Sequence, residues 1–235
     1  MEKLKTAVII AGGEGTRLQP ITNEIPKALV PVNGKPILYW SIKWLKEQGI
    51  KNIVIGTAYK REKIIEYIKE NNNFGLKIQF SKHTVKGGTA QAFKQALKLV
   101  KDKTFVALNC DEITNMDLLK LFNIHQKQKQ MITMALAPFH CRFSVVDVTK
   151  NNMISTFKYG HKLDNILVSI GIYIFNKEIF KHIKSTGSIE DDTFVKLVQQ
   201  KKVAYYKLLK NEEWISVNTH KDIKDAEKLM KRLFK

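Results

Sequence analysis

At 235 residues, 44% of them apolar, the chain is long enough to bury one substantial α/β core and too apolar to be a disordered tail. Its formal net charge of +18 comes from 40 basic residues against 22 acidic ones, nearly all of the former lysine, with arginine only at Arg17, Arg61, Arg142 and Arg232. Those lysines are scattered through helical stretches (Lys94, Lys98, Lys101, Lys103) without interleaved aromatics, which reads as a solvated surface attractive to small anions and not as a nucleic-acid site.

Lys3 and Lys5 ahead of Ala7–Ala11 mimic a signal peptide, but the apolar run is shorter than an h-region and a glycine-rich, charged segment follows it. No run reaches the roughly 20 apolar residues that span a bilayer. Thr6–Ala11 is instead the continuous apolar run of a strand buried on both faces. It breaks into Gly12, Gly13 and Gly15, where bare backbone can turn sharply and bring N–H groups close to an anion. Thr16 and Arg17 follow, the latter a fork-shaped donor suited to phosphate oxygens, and Pro26-Lys27 adds a second cation. The spacing is neither that of a P-loop nor the G-x-G-x-x-G of a dinucleotide fold, and the glycines alone fit a ligand-free turn equally well.

Pro36–Gln48 reads as a helix stopped by Gly49, with Ile37, Ser41, Trp44 and Leu45 on one face. Ile53–Thr57 is a second strand, Arg61–Asn71 a helix carrying Ile64, Ile65 and Ile68, Lys77–Ser81 a third strand, Gly88–Val100 a helix and Thr104–Leu108 a fourth strand. Asp117–Gln130 is again helical, but Met131–Ala137, Ser144–Val148, Met153–Phe157 and Leu167–Phe175 are strands without helices between them. Lys177–Lys184 and Asp191–Gln200 read as helices, Val203–Leu208 and Trp214–Val217 as strands. A last amphipathic helix behind Thr219 buries Ile223, Ala226, Met230 and Leu233. This order predicts an α/β fold over residues 1–235 as one domain. It is a Rossmann-like three-layer sandwich with a mainly parallel mixed sheet, and its second half, after about residue 110, adds an antiparallel extension covering the site. Two cysteines, Cys110 and Cys141, form no disulfide framework and fit a reducing cytoplasm.

Two further stretches carry candidate chemistry. In Val85–Ala92, Gly87 and Gly88 open a helix whose first amides can face a ligand, with Thr89 and Gln91 beside them; Gln offers the donor and acceptor that a base edge requires, though an exposed helix start is the plain alternative. Asn109-Cys110-Asp111 ends the fourth strand, and a carboxylate there can hold Mg²⁺ beside a triphosphate or merely turn the chain. Cys110 reads as a small buried residue.

The string AGGEGTRLQPITNEIPKALVPVNGKPIL resembles the opening of the sugar-1-phosphate nucleotidyltransferases, which follow the pattern G-G-x-G-[TS]-R-L, P-x-T, P-K and P-V-x-[GN]-K-P. The resemblance implies transfer of a nucleoside monophosphate from a nucleoside triphosphate to a sugar 1-phosphate, with Mg²⁺ as cofactor. It implies Arg17, Lys27 and Asp111 as catalytic residues, Asp111 also as metal ligand. Ala11, Gly12, Gly13, Gly15, Thr16, Gln79, Gly88, Thr89 and Gln91 become nucleotide-binding residues. It also implies a possible homo-oligomer, with no nucleic-acid or membrane partner.

The acceptor half departs from the family's pattern. Ser144 stands at a usual Gly, and Phe157-Lys158-Tyr159-Gly160-His161-Lys162 replaces Phe-x-Glu-Lys-Pro. Ser169 takes the Asn of Asn-x-Gly, and Ser216 the Asp of W-x-D-[IV]-[GN]-T, a second magnesium ligand in the family. Ser144, Lys158, Ser169 and Ser216 are thus the candidate acceptor-side residues. Lys158, Lys162 or Arg142 could neutralise the acceptor phosphate, and Glu213, Asn218 or Asp222 could restore the metal site. A hexose or heptose 1-phosphate is the default acceptor; a phosphocholine- or phosphonate-like acceptor, or a catalytically weak regulatory relative, are the alternatives these departures leave open.

Overall fold

The computed structural model describes residues 4–141, 143–159 and 162–233. Strand β1 (Thr6–Ile10) is buried along its whole length, as its uninterrupted apolar run requires. The glycine loop and a one-turn helix α1 (Ile21–Glu24) lead to a short hairpin of β2 (Pro31–Val32) and β3 (Lys35–Pro36). Three helix–strand units follow: α2 (Ile37–Glu47) with β4 (Asn52–Thr57), α3 (Arg61–Glu70) with β5 (Lys77–Lys82), and α4 (Gly88–Leu97) with β6 (Thr104–Asn109). Each helix lets the next strand enter the sheet in the same direction, so β5, β4, β1 and β6 lie side by side in parallel.

Beyond β6 come the three-residue strand β7 (Glu112–Thr114), helix α5 (Leu118–Gln128), β8 (Ile132–His140), β9 (Ser144–Val148), β10 (Ile154–Tyr159) and the long β11 (Lys162–Asn176). A 3₁₀ helix over Lys177–Lys181 stands where a helix to Lys184 is expected, and the next helix begins as a π turn, Ile189–Phe194, before α6 (Val195–Gln199). Strands β12 (Val203–Lys207) and β13 (Trp214–Ser216) and helix α7 (His220–Leu233) complete the chain. β11 pairs antiparallel with both β6 and β8, and β12 joins β8 in parallel, giving one seven-stranded mixed sheet in the order β12-β8-β11-β6-β1-β4-β5. β9 and β10 form a separate hairpin, and β13 pairs antiparallel with β7, placing Ser216 opposite Glu112.

Strand alternation builds the three layers. Ala7, Ile9 and Ile55 face Leu38, Ile42, Leu45, Ile64 and Ile68 on one side, while Val8, Ile10 and Val54 face Phe93, Ala96 and Leu97 on the other. Each fully buried Leu or Ile contributes about 1.5–3 kcal/mol. A third cluster, Leu18, Val30, Val32, Ile37, Val217, Ala226 and Met230, clamps α7 onto the segment after the glycine loop. Ala226 and Met230 are buried as expected and Ile223 partly so; the Leu233 side chain lies outside the described residues. No helix among the described residues is long and apolar enough to cross a membrane.

Candidate active site

The glycine loop is pinned at the carboxyl end of the parallel strands. The Ala11 N–H donates to the Gly56 carbonyl at 2.8 Å, and the Gly12 carbonyl accepts from the Tyr59 N–H at 3.2 Å. Gly15 adopts φ +68°, and a Cβ there would lie 2.9 Å from Lys27 Cβ, so the loop crosses the Lys27 stem where a side chain has no room. The Thr22 hydroxyl donates to the Gly15 carbonyl, buried Leu18 anchors the turn that begins at Thr16, and Gly13 borders open space.

Arg17, Lys27 and Asp111 come together at the mouth of this loop. Lys27 Nζ donates to Asp111 Oδ2 at 2.5 Å and to Asn218 Oδ1 at 2.7 Å, and Arg17 Nη2 reaches the same Asn218 oxygen at 2.7 Å. The Lys27 and Asp111 side chains are only 13% and 17% exposed, so little water screens the pair. Asn218 is held by a capping box at the start of α7. Asp222 Oδ2 accepts the N–H groups of Asn218 and Thr219, and Thr219 Oγ1 accepts the Asp222 N–H. The His220 ring donates through Nε2 to the Gln19 carbonyl at 2.8 Å, tying that helix start to the loop. Between these groups Cys110 is buried, and its thiol is pushed up to about 12 by burial and then by the Asp111 charge, which leaves it unreactive.

The segment Val85–Ala92 is more enclosed than its sequence suggests. Gly88 has φ +69°, and a Cβ there would meet the Gly187 carbonyl at 2.3 Å; that carbonyl accepts the Ala90 N–H. Thr89 Oγ1 donates to Glu190 Oε2 at 2.7 Å and accepts the Ile189 N–H. The helix start therefore packs against the segment before the π turn. Gln91 Oε1 accepts from the Thr84 N–H and hydroxyl, which leaves its amide N–H donors for a ligand. Gln79 lies apart: it is exposed on the edge strand β5, level with Val54, two residues short of the rung where Ser81 meets Gly56. The side chain that meets the loop from β5 is His83, unmarked by any motif. A Cβ on Gly12 would lie 2.2 Å from its Nε2, and burial lowers its pKa, holding the ring neutral.

Two cavities lie beside the residues expected on the acceptor side. One, of about 670 Å³, is lined by Ser169, Ser216, Trp214, Tyr159, His140 and Phe139; the other, of about 560 Å³, by Asn109, Glu112, Ser169, Tyr173, Glu190 and Phe194 among others. Ser169 faces both, whereas Ser144 and Lys158 sit exposed on the β9–β10 hairpin and line neither. Arg142, Gly160, His161 and the Lys162 side chain lie outside the described residues. Glu213 is paired with Arg232 at 2.6 Å and Asp222 is spent on its cap, so neither substitutes at Ser216; Asn218 does lie there, donating to Ser216 Oγ at 2.7 Å.

Sequence reasoning passes over Glu112. Its Oε1 accepts from Ser216 Oγ at 3.2 Å and its Oε2 from Trp214 Nε1 at 2.6 Å, and burial, with the Asp111 charge beside it, raises its pKa well above the usual carboxylate range. No group of three or more His, Cys, Asp or Glu able to hold a metal occurs among the described residues. The oxygens of Asp111, Asn218 and Glu112 nonetheless suit a hard cation that draws its remaining ligands from phosphates and water. Gly171, at φ +70°, fits that use: a Cβ there would lie 2.8 Å from Glu112 Oε1.

A family profile described as nucleotidyl transferase matches residues 6–232. The chain is 33% identical over 210 residues to the D-glycero-alpha-D-manno-heptose 1-phosphate guanylyltransferase of Campylobacter jejuni, covering 80% of this chain and 92% of the relative. It is 31% identical over 226 residues to the protein of the same name from Aneurinibacillus thermoaerophilus, covering 94% and 96%. The crystal structure of HddC from Yersinia pseudotuberculosis superposes with a TM-score of 0.75 at 25% identity, over 97% of this chain and 100% of that one. A glycine loop at the carboxyl ends of parallel strands, with two cations and a carboxylate gathered at its mouth, is thus found in a chain that belongs to the nucleotidyl transferase family.

Proposed function

We propose that the protein transfers a nucleoside monophosphate from a nucleoside triphosphate to a sugar 1-phosphate. A phosphate oxygen of the acceptor attacks the α-phosphorus, the bond to the β-phosphate oxygen breaks, and pyrophosphate departs with that electron pair. The observation that carries this reading is the convergence of Arg17 and Lys27 on Asn218 at the glycine loop, with Asp111 bound to the same Lys27. Such a reaction asks the protein mainly for alignment and charge neutralisation. Arg17 neutralises the departing pyrophosphate and Lys27 the α-phosphate, with Asn218 holding both ammonium and guanidinium in register. The loop amides of Gly12, Gly13 and Gly15 receive phosphate oxygens, and Gln91 meets the base with its free N–H donors. Asp111 would hold Mg²⁺, with Asn218 beside it; when bound, the ion would add positive charge against the phosphate oxygens.

The relatives named above make guanosine triphosphate and a heptose 1-phosphate the first pair to test. The experiment incubates each of the common triphosphates with Mg²⁺, pyrophosphatase and a panel of hexose and heptose 1-phosphates and phosphocholine, and follows phosphate release. Release with one sugar 1-phosphate is expected. Triphosphate binding without product under any acceptor would replace this reading with that of a regulatory nucleotide-binding protein. A reducing cytoplasm is the matching compartment, since Cys110 and Cys141 are both free thiols. The resemblance also carries a homo-oligomer, which sedimentation would reveal.

A further inference from the structure

We infer that Glu112 provides the second carboxylate of the divalent-cation site, from the strand opposite the one that carries Ser216. The inference rests on the function proposed above and concerns how this chain completes that site. β7 and β13 pair so that Ser216 and Glu112 are direct cross-strand partners, and the Ser216 hydroxyl donates to Glu112 Oε1 at 3.2 Å. A carboxylate on either residue of such a pair serves nearly the same point in space, because directly opposed side chains lie within about 5 Å of each other. The acid absent from position 216 has its counterpart one strand away.

The hydrogen-bond partners of Glu112, Trp214 Nε1 and Ser216 Oγ, are neutral, and Glu112 itself is 6% exposed. Among the described residues no Lys, Arg or His forms an ion pair with it; Lys27 is engaged by Asp111 and Asn218 instead. A buried carboxyl group next in sequence to Asp111, with no direct ion-pair partner among the described residues, is costly to keep charged unless a cation is bound in the working state. Each of its oxygens keeps a free acceptor position beyond its one hydrogen bond.

The chain also makes room for this carboxylate. At Gly171 strand β11 shifts register against β8, and a Cβ there would stand 2.8 Å from Glu112 Oε1 and 3.0 Å from Asn109 Nδ2. Any residue but glycine would push the carboxylate aside. From Glu112 a continuous set of hydrogen bonds then runs through Ser216 and Asn218 to Lys27 and Asp111, so both acids belong to one polar chain.

Mn²⁺ is the probe, followed by electron paramagnetic resonance with the triphosphate that the wild-type protein binds and without acceptor. Binding is expected in the wild type and lost in Asp111→Asn. Glu112→Gln should bind Mn²⁺ at least roughly 10- to 100-fold more weakly, since losing even an outer partner of a ligand commonly costs a metal site that much. Glu112→Gln combined with Ser216→Asp, which returns the carboxylate to the opposite strand, should recover most of that loss. Melting temperatures identify any variant that fails to fold. A wild-type protein that binds neither the triphosphate nor Mn²⁺ would sink the proposed function along with this inference. A wild type that binds both while Glu112→Gln matches it would overturn only the role of Glu112. A folded Glu112→Gln protein whose weakened binding Ser216→Asp does not recover would overturn it too.

Discussion

Lys27 donates to a carboxylate and to an amide oxygen at once, whereas Arg17 donates to the amide oxygen alone. Removing them should therefore have unequal effects. Arg17→Ala leaves the Lys27–Asp111–Asn218 contacts standing, and kcat/KM should fall about 10²- to 10³-fold, the usual cost of one preorganised electrostatic donor. Lys27→Ala also leaves Asp111 without its counter-charge, so its loss should be the larger; steady-state pyrophosphate release with both variants measures the difference. These residues were legible in the sequence because the glycine run, its Arg and the Pro-Lys pair sit at short, fixed spacing. Glu112 was not, because its importance depends on the register of two strands about a hundred residues apart. Gln79 was placed with the nucleotide by resemblance; it lies two residues short of the rung where Ser81 meets Gly56, and the side chain set against Gly12 is that of His83, just beyond the strand's carboxyl end.

On α5, His125 is buried and its Nδ1 lies 2.9 Å from Thr133 Oγ1 across the β8 boundary. Burial lowers its pKa from 6.5 to about 4. Between those values the unfolded chain holds a proton that the folded chain does not. The contribution to stability is thus complete above about 6.5 and fades as pH falls towards about 4. Its ceiling is about 3 kcal/mol, since one pKa unit is worth about 1.4 kcal/mol. Replacing His125 with Gln keeps a hydrogen-bonding partner for Thr133 and removes the titration, so the melting temperature of that variant should fall less steeply over this range than the wild type's. The helices around this position were readable from their apolar spacing: Leu121 and Phe122 turn inward with His125. Strand β7 was not, since three residues give no period to recognise, and Lys177–Lys184 misled because its apolar spacing also suits the tighter 3₁₀ turn that forms.

A net charge of +18 on a chain that we propose takes anionic substrates gives the whole molecule an attractive field for them. Raising ionic strength from about 0.01 M to about 1 M shortens the screening length from roughly 30 Å to roughly 3 Å. kcat/KM for the triphosphate should fall several-fold over that span while kcat at saturation changes little, which stopped-flow binding and steady-state rates together would check. The alternation of strands and helices to residue 110 announced the parallel half of the sheet. The second half announced strands but not their partners, because β11 reaches back to β6 and β12 returns to β8. Asn218 and His220 meet Arg17 and Gln19, each across 201 positions. A nascent chain leaving the ribosome therefore exposes its glycine loop long before the segment that aligns Arg17 has been translated. Such a chain would hold Arg17 without its Asn218 contact until residue 218 has been added, so the loop's cations come into alignment only once the segment from β13 to α7 has emerged.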